Sequence, residues 1–378
     1  MRAEASALFV WTSIIIGGLL IVLGSYTTDI QITDTSKRVL YVPHTPIKIL
    51  GDENFTQQNG VVSGNGTPSD PYVIEGWEID ANGGAYGIWI ENTTSYFVIR
   101  NCRILNATDS NAEPYGTGIY INHCKNGTIY GCEIISTNYC AYFCKSSTLK
   151  IIGSSITSNN IFGFGCILYD SFNITISNNS IINNFCGIYL NNTSYAIINN
   201  NNISKNVVGI IMDYLCNKNK ITENTISSNS NKGIDISHSS SYNTVTNNTI
   251  TNNSGYGIDI GTSDCTHNRI FLNRFYYNNG AGDSFNSSHK QARDNGINNY
   301  WNSTSIGNYW HDWANNNNTN DQNGDSIVDW PYPIDGSSGV KDYYPLKSIT
   351  SVNEISITWI IIFVAIVVIF AILSCKRK

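Results

Sequence analysis

Gly187-Ile188-Tyr189-Leu190, Gly209-Ile210-Ile211-Met212, Gly233-Ile234-Asp235-Ile236 and Gly257-Ile258-Asp259-Ile260 are four copies of one phrase, a glycine followed by alternating apolar residues. Upstream the phrase recurs at Gly87-Ile88-Trp89-Ile90 and Gly118-Ile119-Tyr120-Ile121, with degenerate copies at Ala141-Tyr142-Phe143-Cys144 and Gly163-Phe164-Gly165-Cys166. From Gly163 onward the steps are 24, 22, 24 and 24 residues. Self-similarity at that period is the mark of a solenoid, in which each repeat is one turn of the superstructure.

Two further apolar columns follow each glycine phrase. The first reads Ile99, Ile129, Ile151, Ile176, Ile198, Ile221, Val245 and Ile270; five residues later come Ile104, Ile134, Ile156, Ile181, Ile203, Ile226, Ile250 and Phe275. Ile74 and Ile79 fit the same template one turn earlier. Short strands need sharp corners, and asparagine marks them in two ladders: Asn179, Asn201, Asn224, Asn248, Asn273, and Asn159, Asn184, Asn206, Asn229, Asn253, Asn278. Asparagine tolerates left-handed backbone, and stacked amides can bond from turn to turn. One turn buries too few aliphatic side chains to offset the ordering of its backbone, so the turns must stack. The fold class is all-β: a right-handed parallel β-helix of about nine rungs over residues 38–282.

The composition agrees. Charged residues make up 13% of the chain and the net charge is −6, which leaves no basic stripe for nucleic acid. The apolar stretch Ala5–Leu23 reads as a signal peptide or signal-anchor helix within residues 1–27. Ile355–Cys375 carries no charge over about 21 residues and precedes Lys376-Arg377-Lys378, the pattern of a transmembrane helix with a cytoplasmic basic tail. Residues 348–354 form a linker. The bulk of the chain is therefore expected outside the cell, on a single span, or on two if the first helix is uncleaved. Residues 283–347 break the repeat and are rich in Trp and Tyr, as befits a C-terminal capping module over an open last rung.

The stretches Pro46-Ile47-Lys48-Ile49, Asn54-Phe55, Gly64 to Ile74, Gly307-Asn308-Tyr309-Trp310, Asp325 to Asp329, Pro331 to Gly336 and Asp342 to Leu346 resemble the NosD-type β-helix family of the pectin-lyase-like superfamily. The chain is similar in layout to membrane-anchored surface proteins of archaea. The resemblance implies the fold and a surface location; the superfamily includes lyases, hydrolases, epimerases and non-enzymes, so it implies no one activity. It also brings in copper, through the family's association with copper-enzyme maturation. Two Met and six scattered His, none paired at ligand spacing, give copper little support here.

On an alternating strand the residue two after each glycine faces outward, which gives the column Trp89, Tyr120, Phe143, Gly165, Tyr189, Ile211, Asp235, Asp259. The rings Trp89, Tyr120, Phe143 and Tyr189 read as a sugar-stacking platform or as cross-rung packing. Asp235 and Asp259 fall on adjacent rungs, with Asp213 and His238 near in register. Paired carboxylates are the raw material of glycosidic acid/base chemistry, or simply two surface acids, and no arginine stands where a lyase would need its base. Asp321, Asn323, Asp325, the Ile327 carbonyl and Asp329 follow the alternate spacing of a calcium loop, or of an Asx-rich turn; calcium is the expected ion. Cys102 with Cys132, and Cys144 with Cys166, read as equivalents on adjacent rungs within disulfide reach or as small apolar core residues. Fifteen Asn-x-Ser/Thr sequons, against about ten expected by chance, place glycans at exposed turns.

These features give a surface structural or binding module whose partners are the membrane and carbohydrate or neighbouring surface proteins. The alternative is a carbohydrate-active enzyme (glycoside hydrolase, lyase or epimerase) centred on Asp235 and Asp259.

Overall fold

The computed structural model describes residues 40–135, 137–314 and 321–348. Tyr41 onward belongs to one compact unit; of the other unit, Met1–Leu40, only Leu40 is described. Ala5–Leu23 and Ile355–Cys375 lie outside the described residues, and among those described no helix is long and apolar enough to cross a membrane.

The chain winds as a right-handed parallel β-helix. Between Tyr86 and Tyr276 eight complete turns each give one strand to every one of three sheets. Sheet I holds the glycine-led strands, from Tyr86–Glu91 to Ile258–Ile260; sheet II runs from Phe97–Arg100 to Arg269–Phe271; sheet III from Arg103–Leu105 to Arg274–Tyr276. A less regular opening turn precedes them, with Ile47–Ile49, Tyr72–Glu75 and Trp77–Asp80 in the three sheets. There Val61–Ser63 pairs antiparallel to Tyr72–Glu75, and this pairing occupies one edge of sheet II.

The two isoleucine columns are real registers. Ile74, Ile99, Ile129, Ile151, Ile176, Ile198, Ile221, Val245 and Ile270 pair in succession along sheet II. Ile79, Ile104, Ile134, Ile156, Ile181, Ile203, Ile226, Ile250 and Phe275 do so along sheet III. All are buried in one core. The glycines of sheet I mark a close approach between turns: a Cβ on Gly187 would stand 2.6 Å from the Gly209 carbonyl oxygen and 2.8 Å from Ile203 Cγ2.

Two turns of sheet I are shifted from the sequence reading. Ala141 pairs with Ile119 and Cys166 with Ile188, so Cys140 and Gly165, and not Ala141 and Gly163, stand in the glycine slot. Cys144 consequently pairs with Tyr169, and Cys166 with Ala141, so these two cysteines are not equivalents. Cys102 and Cys132 do occupy adjacent rungs, as the pairing of Arg103 with Glu133 requires. All nine cysteines of the described residues are free thiols.

Of the two roles expected of the ladder asparagines, the structure shows the amide bonds from turn to turn and gives the left-handed backbone to a neighbour. The left-handed residue is the one before each ladder asparagine: Asn178, Asn200, Glu223, Asn247 and Leu272 have φ between 55° and 59°. The ladder side chains are buried and bond to one another, Asn179 Nδ2 donating to Asn201 Oδ1 at 3.0 Å, Asn201 to Asn224 at 2.9 Å and Asn224 to Asn248 at 3.0 Å. Each amide also caps a carbonyl of the sheet II column, as Asn224 Nδ2 does for Ile198 O at 2.9 Å. Buried polar groups stay favourable only when paired in this way. In the second ladder Asn159 is itself a left-handed residue, and Ser158 holds the slot, its N–H donating to Asn184 Oδ1. A third ladder, Asn219, Asn243, Asn268 and Asn299, was not read from the sequence; its steps of 24 and 25 residues match those of the first ladder, and only the last, of 31, leaves the repeat.

Beyond the last complete turn the aromatic segment carries the core on. Trp310 pairs with Phe275 in register and stacks on it at 4.1 Å, and Tyr332 stacks on Trp310 at 4.0 Å. Asp342 accepts from Trp310 Nε1 at 2.9 Å, and Asp312 from Gln291 Nε2 at 2.6 Å. Burial pushes both carboxyls up to about 6. The folded chain therefore holds protons that the unfolded chain, with Asp near 4, has released, and stability falls as pH rises through roughly 4 to 6. The melting temperature is expected to be higher at pH 5 than at pH 7.5, each group contributing at most about 3 kcal/mol, and Asp312→Asn should shrink the difference. Asp264, held down to about 2 by Thr262 and Ser239, acts below this window. A melting temperature that climbs steadily from pH 5 to 7.5 would contradict the assignment.

Candidate functional site

On the outer face of sheet I the pairing runs Lys48, Trp89, Tyr120, Tyr142, Ile167, Tyr189, Ile211, Asp235, Asp259, Arg293. The corrected alignment moves one predicted site residue: Phe143 points inward, 1% exposed between Ile121 and Leu168, and Tyr142 takes the outward position. The N-terminal half of the face is aromatic and the C-terminal half is charged.

The aromatic half is largely closed. Trp89 meets Tyr120 at 5.8 Å and 80°, and Tyr120 meets Tyr142 at 5.4 Å and 77°, so the rings present edges to one another. Lys48 Nζ lies 4.2 Å from the Trp89 ring centroid, a cation over an aromatic face. Tyr120 is buried, and its hydroxyl donates to Glu113 Oε1 at 2.7 Å. Trp89 and Tyr120 thus pack across rungs, Tyr120 buried and Trp89, Tyr142 and Tyr189 half-buried on this column.

At the charged end, Asp259 is wholly buried. Arg293 grips it with both prongs, Nε to Oδ1 and Nη2 to Oδ2 at 2.7 Å each, and Lys232 Nζ stands 2.6 Å from Oδ2. The same lysine donates to Asp235 Oδ2 at 3.0 Å, while Asp235 Oδ1 is buried with no partner among the described residues. Burial raises the Asp235 pKa, Lys232 opposes the rise, and Asp259 adds to it. Two carboxylates and two cations make a closed, neutral cluster. Asp259 has neither exposure nor a free oxygen with which to meet a substrate; it is an internal anion. Lys232, beside Gly233, could have been found from the periodicity. Arg293 could not, because it follows Asp259 by 34 residues, outside the repeat spacing.

Beside this cluster lies an open group. His238 Nδ1 is 2.6 Å from Asp213 Oδ1, Tyr189 donates to Asp213 Oδ2 at 3.1 Å, and Asn191 Nδ2 donates to the Tyr189 hydroxyl at 3.1 Å. Burial pushes Tyr189 up to about 12. His238 is exposed. Asp213 and His238 are therefore brought into contact with each other, and among the described residues neither bonds to Asp235 or Asp259.

In the expected calcium loop the side chains are turned on their own backbone. Asp321 accepts from the N–H groups of Asp325 and Ser326 at 3.0 Å each, Asn323 from Asp325 N at 3.1 Å, Asp325 from Ile327 N at 2.8 Å, and Asp329 from Gln322 N at 2.9 Å.

A family model described as "Periplasmic copper-binding protein (NosD)" matches residues 98–315. Among curated proteins none matches the sequence. Among solved structures, the Dettilon tailspike protein is 15% identical at a TM-score of 0.46, over 71% of this chain and 61% of that one. The A-module of the Azotobacter vinelandii mannuronan C-5 epimerase AlgE6 is likewise 15% identical at 0.46, over 71% and 80%. DFA-IIIase from Arthrobacter chlorophenolicus A6 is 12% identical at 0.44, over 59% and 61%. The chain thus spans less than two thirds of the tailspike's length, and likenesses this distant concern the fold alone.

Proposed function

The chain belongs to the NosD family, and on that footing we propose that it is a carbohydrate-binding β-helix of the extracytoplasmic surface. The observation that carries the reading is the open group on sheet I, where Asp213 joins the exposed His238 to the half-buried ring of Tyr189. A carboxylate and an imidazole can hold neighbouring sugar hydroxyls, and a tyrosine offers an apolar body with a polar tip to a pyranose. The sealing of Asp259, with both oxygens taken by Arg293 and Lys232, favours binding over hydrolysis, because a glycosidase needs both of its carboxyls within reach of the substrate.

The family's description names copper, and the donors present do not fit it. Copper is held by converging thiolate, thioether and imidazole groups. Met212 is sealed in the core, His238 is turned to Asp213 and His311 to Asp283, and His267 is stacked on Tyr242. Among the described residues no three His, Cys, Asp or Glu side chains converge.

The test is a glycan array with the purified full-length chain. Tyr189→Ala and Asp213→Ala are each expected to weaken the best ligand by about tenfold. An array on which the wild-type chain retains no saccharide would sink the reading. A carbohydrate-active enzyme is the second reading, favoured by the 2.6 Å contact between His238 and Asp213 with Tyr189 behind it. Release of new reducing ends or unsaturated sugars from an array hit, lost in His238→Ala, would promote it.

A further inference from the structure

We propose that the C-terminal end of the β-helix carries a separate site for a neutral saccharide, a cavity between Tyr300 and Tyr343, reached along a ridge of corner side chains that includes the exposed rings of Tyr195 and Tyr242. It goes beyond the sheet I face and shares no residue with it. The cavity holds about 730 Å³ and is lined by Ser263, Asn298, Tyr300, Ser337 and Tyr343 among others, within the roughly 300–1,000 Å³ of small-molecule sites.

Three features point to a sugar. Tyr300 and Tyr343 are 47% and 56% exposed, and among the described residues neither ring packs on another aromatic, in contrast to the interlocked rings of sheet I. Their hydroxyls and the Asn298 amide make no hydrogen bond within the described residues, so donors and acceptors stand ready around two open ring faces. No lysine or arginine lines the cavity, and its one carboxylate, Asp294, is buried and already takes Gly296 N, Asn299 Nδ2 and Trp301 Nε1 at 2.8, 3.0 and 2.8 Å. With no cation in the cavity wall, a uronate or a phosphate has no partner there, whereas a neutral sugar needs none.

The approach to the cavity is built by the repeat. Tyr195, Lys218, Tyr242, His267 and Asn298 occupy the same left-handed corner on successive turns, with φ from 55° to 59°. Lys218 is exposed and lies over the Tyr195 ring, while His267 is half-buried. Tyr195 and Tyr242 are exposed, and Tyr242 stacks on His267 at 4.9 Å. Turns repeat at about 4.8 Å, so the ridge leads in short steps to Asn298 at the cavity wall. A saccharide of several units can fill the cavity and lie back along Tyr242 and His267.

The experiment is calorimetric titration of the full-length chain with neutral gluco-, manno- and galacto-hexaoses and with a hexauronate. At least one neutral hexaose is expected to bind. Tyr300→Ala and Tyr343→Ala should each weaken it by at least about tenfold, while Tyr343→Phe, which keeps the ring, should stay within about threefold. Both tyrosines are exposed, so matching melting temperatures confirm that the variants fold. Tyr189→Ala should remove only binding at sheet I and leave in place the component that Tyr300→Ala weakens. The proposal is overturned if no neutral hexaose binds, if the hexauronate binds more tightly, or if binding survives both alanine variants and disappears in Tyr189→Ala, which would assign the ligand to sheet I.

Discussion

Ile198→Asp is expected to lower the stability of the β-helix by at least about 4 kcal/mol, because it places an unpaired carboxylate in a continuous aliphatic column. Ile198 is 0% exposed, pairs with Ile176 on one side and Ile221 on the other, and lends its carbonyl to Asn224. Rungs lie on both sides, so the charge cannot turn to solvent without parting two sheets. The neighbouring position supplies the control. Ile197 is 41% exposed on the same strand, and Ile197→Asp should change stability by no more than about 0.5 kcal/mol. Thermal melting of the two variants reads the difference. An Ile198→Asp chain that melts within a degree or two of wild type would show that the register is wrong by one residue.

That contrast also explains which parts of the molecule the sequence makes legible. A column such as Ile176, Ile198, Ile221 repeats one shape at one spacing, since every slot faces the same neighbours above and below; periodicity alone therefore finds it. The reading slips where a slot tolerates substitution. Cys140 stands where other turns have glycine, and the loop before Gly165 lengthens the turn, so Phe143 was placed on the wrong face although its neighbour Tyr142 was one residue away. The ladder asparagines are legible as positions and as stacked amides, but the left-handed residue is their neighbour, because an amide bonded to its copy and a left-handed corner both favour asparagine. The acid pair fared differently again. Asp235 and Asp259 are adjacent, as the spacing requires, but what they do depends on cations that the period does not announce. Arg293 reaches Asp259 from beyond an irregular stretch, and a sequence pattern carries no distance across such a break.

Asp259→Ala is therefore expected to cost stability. With its carboxylate gone, Arg293 and Lys232 face each other without their shared anion, and removing one partner of a buried ion cluster commonly costs about 3–5 kcal/mol. Here the two cations keep 34% and 22% of their side-chain exposure, so water recovers part of the loss and about 2–3 kcal/mol is the expected figure. Asp235→Ala should cost less, because it releases a single contact with Lys232 and removes a carboxylate whose second oxygen is buried without a partner. Pairing Asp259→Leu with Arg293→Met, which removes both ends of the bidentate contact, should return much of the stability lost in Asp259→Leu alone. Denaturant midpoints of the four variants and the wild type decide the matter. A catalytic acid predicts the reverse pattern: Asp259→Ala as stable as wild type, with any turnover abolished. Equal midpoints for Asp259→Ala and wild type would release Asp259 from its structural role and return the acid pair to the list of catalytic candidates.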